Sequence, residues 1–140
     1  VNISSGAGLI GTLNMGGYCA SKFAMNGWSE SLYHELRPLG VNVSVVCPGP
    51  VSTQFNREFR DTEPKSPPQL FIGTEAVSQA VMRAIEKNQF EVVMPRWLAL
   101  MCVIKRFAPS LFRVIAQRRF RPYVTKPSRV TVSPEFPGNQ

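Results

Sequence analysis

Tyr18 and Lys22 stand four positions apart, a spacing that on a helix sets two side chains on one face at neighbouring heights. A free tyrosine titrates at about pH 10, and a cation a few ångströms away favours the phenolate form. Such a pair suits general acid or base work. Ser5 precedes Tyr18 across a glycine-containing stretch and can bring a second hydroxyl to the same substrate oxygen. Since a Tyr and a Lys at this spacing also describe an ordinary helix surface, the surrounding elements have to decide between the two readings.

Val1-Asn2-Ile3-Ser4 reads as a short strand, already under way at Val1, that runs into a flexible loop at Ser5-Gly6-Ala7-Gly8. Helical spacing begins at Tyr18, with Ala20, Phe23, Ala24, Gly27, Leu32 and Leu36 as the apolar side and Ser29, Glu30 and Glu35 as the polar one. Arg37-Pro38-Leu39-Gly40 stops it, because Pro38 cannot continue the ladder and Gly40 suits a left-handed cap. Val41 to Cys47 is nearly all β-branched or small, as in a strand covered on both faces, and Pro48-Gly49-Pro50 ends it. Residues 51–72 hold Pro64, Pro67 and Pro68 without a period and read as a long surface excursion of the kind that forms lids. Thr74 is placed to cap a second helix carrying Ala76, Val77, Ala80, Val81, Ala84 and Ile85, and Phe90 to Met94 follows as a third strand.

Strand, helix, strand, helix, strand with mostly short connections predicts an α/β fold, a doubly wound parallel sheet (Rossmann-like) with right-handed crossovers. Three strands amount to its C-terminal half only. The expected division is 1–95 for that half of the catalytic domain, 96–121 for a basic amphipathic helical segment broken near Pro109, and 122–140 for a Pro-rich, disordered tail.

In order and spacing, Asn2-Ile3-Ser4-Ser5, Tyr18-Cys19-Ala20-Ser21-Lys22 and Pro48-Gly49-Pro50-Val51-Ser52-Thr53 closely resemble the classical short-chain dehydrogenase/reductase family. The resemblance implies a catalytic Ser5, with Ser4 the weaker choice. It further implies that Tyr18 is the proton donor or acceptor, and that Lys22 assists Tyr18 and hydrogen-bonds the ribose of NAD or NADP. Pro48, Gly49 and Val51 would line the nicotinamide pocket, and Thr53 would contact the carboxamide or phosphate region. The implied reaction is hydride transfer between the cofactor and an apolar alcohol or ketone. The family's Gly-rich turn, its residue choosing between NAD and NADP and its catalytic Asn belong upstream of Val1, so residues 1–140 are expected to be inactive alone. The competing reading is a non-catalytic remnant or binding module that keeps half of the fold. Sequence upstream of Val1 discriminates the two.

Residues 1–100 carry eight basic and eight acidic side chains, so the whole net charge of +7 belongs to residues 101–140. Lys105, Arg106, Arg113, Arg118, Arg119 and Arg121 interleave there with Phe107, Leu111, Phe112 and Ile115. Trp97 to Arg121 could cover a sheet edge or a dimer contact, or it could lie peripherally on an anionic membrane. No motif supports nucleic acid. The apolar run from Trp97 to Ile104 is far short of the roughly 20 residues that a spanning helix needs. Cys19, Cys47 and Cys102 are odd in number and lack metal-ligand spacing, so no metal is expected and a reducing, cytoplasmic setting is the simplest home. His34 reads as a surface or packing residue, and Gly6, Gly8 and Gly11 as a mobile loop beside the site. The complete enzyme is expected to be a homo-oligomer.

Overall fold

The computed structural model describes residues 1–53 and 71–120. β1 (Asn2–Ile3), β2 (Val45–Pro48) and β3 (Glu91–Met94) form one parallel sheet in that order. The register pairs Ile3 with Val46, and Pro48 with Met94. The middle strand is buried along its whole length, which explains its β-branched and small residues. Alternation along β2 divides the faces. Val46 packs with Ala80 and Ala84 of α2 (Thr74–Glu86), and Val81, Val92 and Met94 close around them. Cys47, on the opposite side, meets α1 (Gly16–Leu36). Parallel strands with a helix on each face are the expected doubly wound arrangement in part.

The stop of α1 is as anticipated. A 3-10 turn at Arg37–Leu39 follows, and Gly40 takes the left-handed conformation at φ 76°, with its amide donating to the Arg37 carbonyl at 3.1 Å. α3 (Arg96–Phe107) and α4 (Pro109–Phe120) come after β3, broken at Ala108. Pro109 opens α4, where its missing N–H costs nothing.

Four expectations are corrected. The second strand starts at Val45 rather than Val41, since Val41 and Asn42 lie exposed before the ladder begins. Thr74 does not cap α2: Gly73 holds the cap position with no side-chain bond, and the Thr74 carbonyl accepts from the Ser78 hydroxyl. The glycine stretch is no mobile loop, because Gly6–Gly8 forms a buried 3-10 turn. The inward face of α1 is also different. It runs through Cys19, Lys22, Asn26, Ser29 and Tyr33, while Phe23 at 42% exposure and Trp28 at 58% face outward. Polar residues can face the sheet there because each finds a partner: the Ser29 hydroxyl, for example, donates to the Met25 carbonyl and accepts from Asn2. Of the excursion expected at 51–72, residues 54–70 lie outside the described residues, as does the tail at 122–140.

Candidate active site

In parallel α/β sheets, ligands gather beyond the carboxyl ends of the strands, and the sequence-selected residues collect there. β1 delivers Ser5. The Ser4 amide donates to the Val46 carbonyl at 2.8 Å, which extends the ladder by one step and places Ser5 beside the end of β2. Its neighbour Ser4 is buried, and the Ser4 hydroxyl donates to the Lys22 carbonyl at 3.3 Å. Ser4 thus ties β1 to α1, while the half-buried Ser5 caps the Gly6–Gly8 turn by accepting from the Ala7 amide at 3.1 Å. That bond uses a lone pair and leaves the hydroxyl proton available to a substrate oxygen.

α1 delivers Tyr18 in its first turn and Lys22 one turn later, both half-buried. The Lys22 ammonium lies 5.7 Å from the Tyr18 ring centroid, within cation–π range. It also donates to the Ile3 carbonyl at 3.1 Å. Lys22 therefore reaches from the tyrosine to the strand end two residues before Ser5. An ammonium carries three donors, and the Ile3 carbonyl engages one of them, so this side chain fits the hydroxyls of a bound sugar.

β2 ends at Pro48, and the Gly49 amide donates to the Met94 carbonyl at 2.6 Å. A Cβ at Gly49 would stand 3.0 Å from Pro95 Cδ, and one at Gly6 would stand 2.6 Å from Leu98 Cδ2. Both glycines let Pro95 and the buried Leu98 press down on the strand ends. Val51 bridges Ile72, and the Ser52 amide donates to the Ile72 carbonyl at 3.0 Å. Thr53, with its amide bonded to the Val51 carbonyl at 2.9 Å, extends along that bridge, beyond the Pro48–Gly49 turn.

Sequence reasoning missed Asn26 and misjudged Lys105. The Asn26 amide donates to the Gly8 carbonyl at 3.0 Å and accepts from the Cys47 thiol at 3.7 Å. Continuing the Tyr18, Lys22 spacing by one more step of four would have found it. Lys105, expected in a basic surface cluster, is half-buried and held by specific partners. Its ammonium donates to the Leu9 carbonyl at 2.5 Å and lies 5.0 Å from the Phe23 ring centroid. It thereby links α3 to the turn that follows Ser5. Burial pushes the Cys47 thiol up to about 11, with Glu91 adding to the effect, so the thiol stays protonated and acts as a hydrogen-bond donor. His34 is exposed and stacks edge-on with Tyr33. Among the described residues no cluster of metal-ligating side chains occurs, and no helix is long and apolar enough to cross a membrane.

A family model described as short chain dehydrogenase matches residues 1–64. The uncharacterized oxidoreductase YbbO of Escherichia coli strain K12 is 35% identical over 121 residues, covering 79% of this chain and 44% of that protein. Retinol dehydrogenase 10 of Xenopus tropicalis is 34% identical over 115 residues, covering 78% of this chain and 33% of its own length. Among solved structures, a short chain dehydrogenase from Burkholderia cenocepacia J2315 in complex with NADP superposes with a TM-score of 0.70 at 25% identity, covering 82% of this chain and 45% of that one. The chain thus spans under half the length of each of these three proteins. The matched region holds the strand end at Ser5, the Tyr18–Lys22 turn and the Pro48–Gly49 edge, and the chain belongs to the short-chain dehydrogenase/reductase family.

Proposed function

We propose that the complete protein is an NAD- or NADP-dependent oxidoreductase that interconverts an apolar alcohol and its carbonyl compound. Tyr18 would exchange the proton on the substrate oxygen, and Ser5 would hold that oxygen in place. The observation that carries this reading is the Lys22 ammonium, held near Tyr18 and anchored to the Ile3 carbonyl. A fixed positive charge stabilises negative charge developing on the tyrosine oxygen without reorganising at the moment of reaction. The nicotinamide, when bound, supplies or accepts the hydride. Lys22 then binds the sugar hydroxyls, and Pro48, Gly49, Val51 and Thr53 line the pocket beyond the strand ends. Support for the cofactor comes from the NADP complex of the Burkholderia relative, and support for an apolar alcohol from the retinol dehydrogenase name. Three cysteines without a disulfide fit a reducing, cytoplasmic setting. Exposed Phe23 and Trp28 fit assembly into a homo-oligomer.

The test is oxidation of retinol and of shorter alcohols by the complete natural chain with NAD and with NADP, followed at the reduced-nicotinamide absorbance. Turnover with one nucleotide that collapses in Tyr18→Phe is the expected result. Undiminished turnover in that variant would remove Tyr18 from the chemistry, and a folded chain that binds neither nucleotide would favour the non-catalytic reading.

A second reading, peripheral contact with an anionic membrane, rests on residues 96–120. These hold no acidic residue. Leu100, Val103 and Phe107 are exposed on α3, Phe107 at 82%, and Leu111, Val114 and Ile115 are exposed on α4. Arg96, Arg106, Arg113 and Arg118 are exposed among them. Apolar side chains interleaved with cations suit insertion at the headgroup boundary. Sedimentation with phosphatidylserine vesicles should fall as salt shortens the Debye length and should disappear in a chain truncated after Arg96. Equal pelleting of both forms would return the segment to a core or dimer role.

A further inference from the structure

One part-buried polar link joins β2, α1 and the Ser5 turn, and the chemistry described above leaves it unused. On β2, the Cys47 thiol donates to Asn26 Oδ1 at 3.7 Å; from α1, Asn26 Nδ2 donates to the Gly8 carbonyl at 3.0 Å. Gly8 closes the 3-10 turn, its amide donating to the Ser5 carbonyl at 2.9 Å, while Ser5 Oγ accepts from Ala7 at the other end. A thiol donor on one side and a carbonyl acceptor on the other leave the amide a single satisfied orientation. Asn26 also follows Lys22 by one helical turn and Tyr18 by two, so the same rigid face holds all three side chains.

We propose that Asn26 is a positioning residue, fixing the Ser5 hydroxyl relative to Tyr18 through its grip on Gly8, with Cys47 orienting its amide. The inference rests on the reading of Ser5 and Tyr18 as catalytic residues, and it adds the device that sets their separation. Replacing the amide nitrogen by oxygen would place two acceptors against each other at Gly8 and release the turn. Displacement of a catalytic group by about 1 Å can cost on the order of 100-fold, so a partial release should cost roughly ten-fold or more.

The experiment is a double-mutant cycle in the complete natural chain, with retinol and the preferred nicotinamide nucleotide as probes. Asn26→Asp keeps size and the acceptor for the thiol but loses the donor to Gly8. It should lower kcat while leaving KM for the nucleotide nearly unchanged, and combining it with Ser5→Ala should cost little beyond Ser5→Ala alone. Amide exchange at Ala7 should accelerate in Asn26→Asp while the middle of α1 keeps its protection. Cys47→Ser, which retains a donor, should keep more activity than Cys47→Ala, and this arm remains readable if Asn26→Asp does not fold. Unchanged kcat and Ala7 exchange in Asn26→Asp, or losses that multiply in the double variant, would overturn the positioning role. Wild-type turnover in Ser5→Ala and Tyr18→Phe would instead overturn the underlying site assignment.

Discussion

Adding one methyl group at Gly8 tests how tightly the Ser5 turn is seated on α1. A Cβ there would stand 2.7 Å from the Lys22 carbonyl oxygen, and 2.9 Å from both the Lys22 carbonyl carbon and Asn26 Nδ2. Ordinary contact begins at 3.4 Å, so the closest approach is too short by about 0.7 Å. Two of the three atoms are helix backbone, held by the ladder of α1, and they cannot swing aside as a side-chain tip would. Relief must come from the turn, which moves away and carries Ser5 with it. Overpacking of this kind costs about 1–3 kcal/mol. At about 2–4 °C per kcal/mol for a domain of about 150–250 residues, Tm should fall by about 2–12 °C. Catalysis should suffer more than stability, since about 1 Å of misplacement is worth on the order of 100-fold in rate.

Gly11→Ala is the matched control, because a Cβ at Gly11 has nothing within 4 Å. Both variants would be measured in the complete natural chain by thermal unfolding and by turnover of retinol with the preferred nucleotide. Gly8→Ala should lose both stability and kcat, whereas Gly11→Ala should match the parent. If Gly8→Ala were as active and as stable as Gly11→Ala, the turn would have room to spare and the close seating would be wrong.

Tyr18→Phe should lower turnover on the order of 100-fold or more, the usual worth of a positioned acid or base, while nucleotide affinity by fluorescence titration stays nearly constant; a loss of affinity with unchanged turnover would contradict its role. The Cys47 thiol is pushed from 9.0 up to about 11 in the folded chain, so the fold holds this proton more tightly than the unfolded chain does. Its contribution to stability is full below about pH 9 and is lost as pH climbs towards 11. Tm measured across that window should fall, and Cys47→Ser should fall less steeply; equal slopes would remove Cys47 as the cause. Ala84 is fully buried between α2 and β2, so Ala84→Leu should cost about 1–3 kcal/mol by denaturant titration; tolerance of leucine would mean that α2 does not press on Val46.

Local signals carried the legible part of this fold. Gly40 after Pro38, the β-branched Val43 and Val45, and Pro109 between two apolar runs each act within a few residues of themselves, and the elements they mark lie close to where spacing placed them. Tyr18 and Lys22 share that property, because four residues of helix suffice to bring them together. The inward face of α1 was not legible in the same way. Reading apolar side chains as buried put Ala20, Phe23 and Ala24 against the sheet, yet the helix turns Lys22, Asn26 and Ser29 towards it. Hydrophobicity cannot register that choice, since it depends on partners elsewhere: the Ile3 carbonyl for Lys22, the Gly8 carbonyl for Asn26, and Asn2 for Ser29.

The same distinction explains Lys105. As one of eight basic residues in the last forty positions, it carried no sign of a private role, and its acceptor at Leu9 lies 96 positions away. Only the close of α3 over the strand ends makes the pairing available, and that close depends on Gly6 and Gly49 leaving room for Leu98 and Pro95. A residue type at one position is thus given its meaning by the absence of a side chain at two others. Lys105 is half-buried, and the Leu9 carbonyl, just after the Gly6–Gly8 turn, gives its ammonium an acceptor where α3 comes close. The charge excess of the C-terminal segment therefore serves two ends in one helix, with Lys105 fastening it inward while Arg96 and Arg106 remain on its outer side.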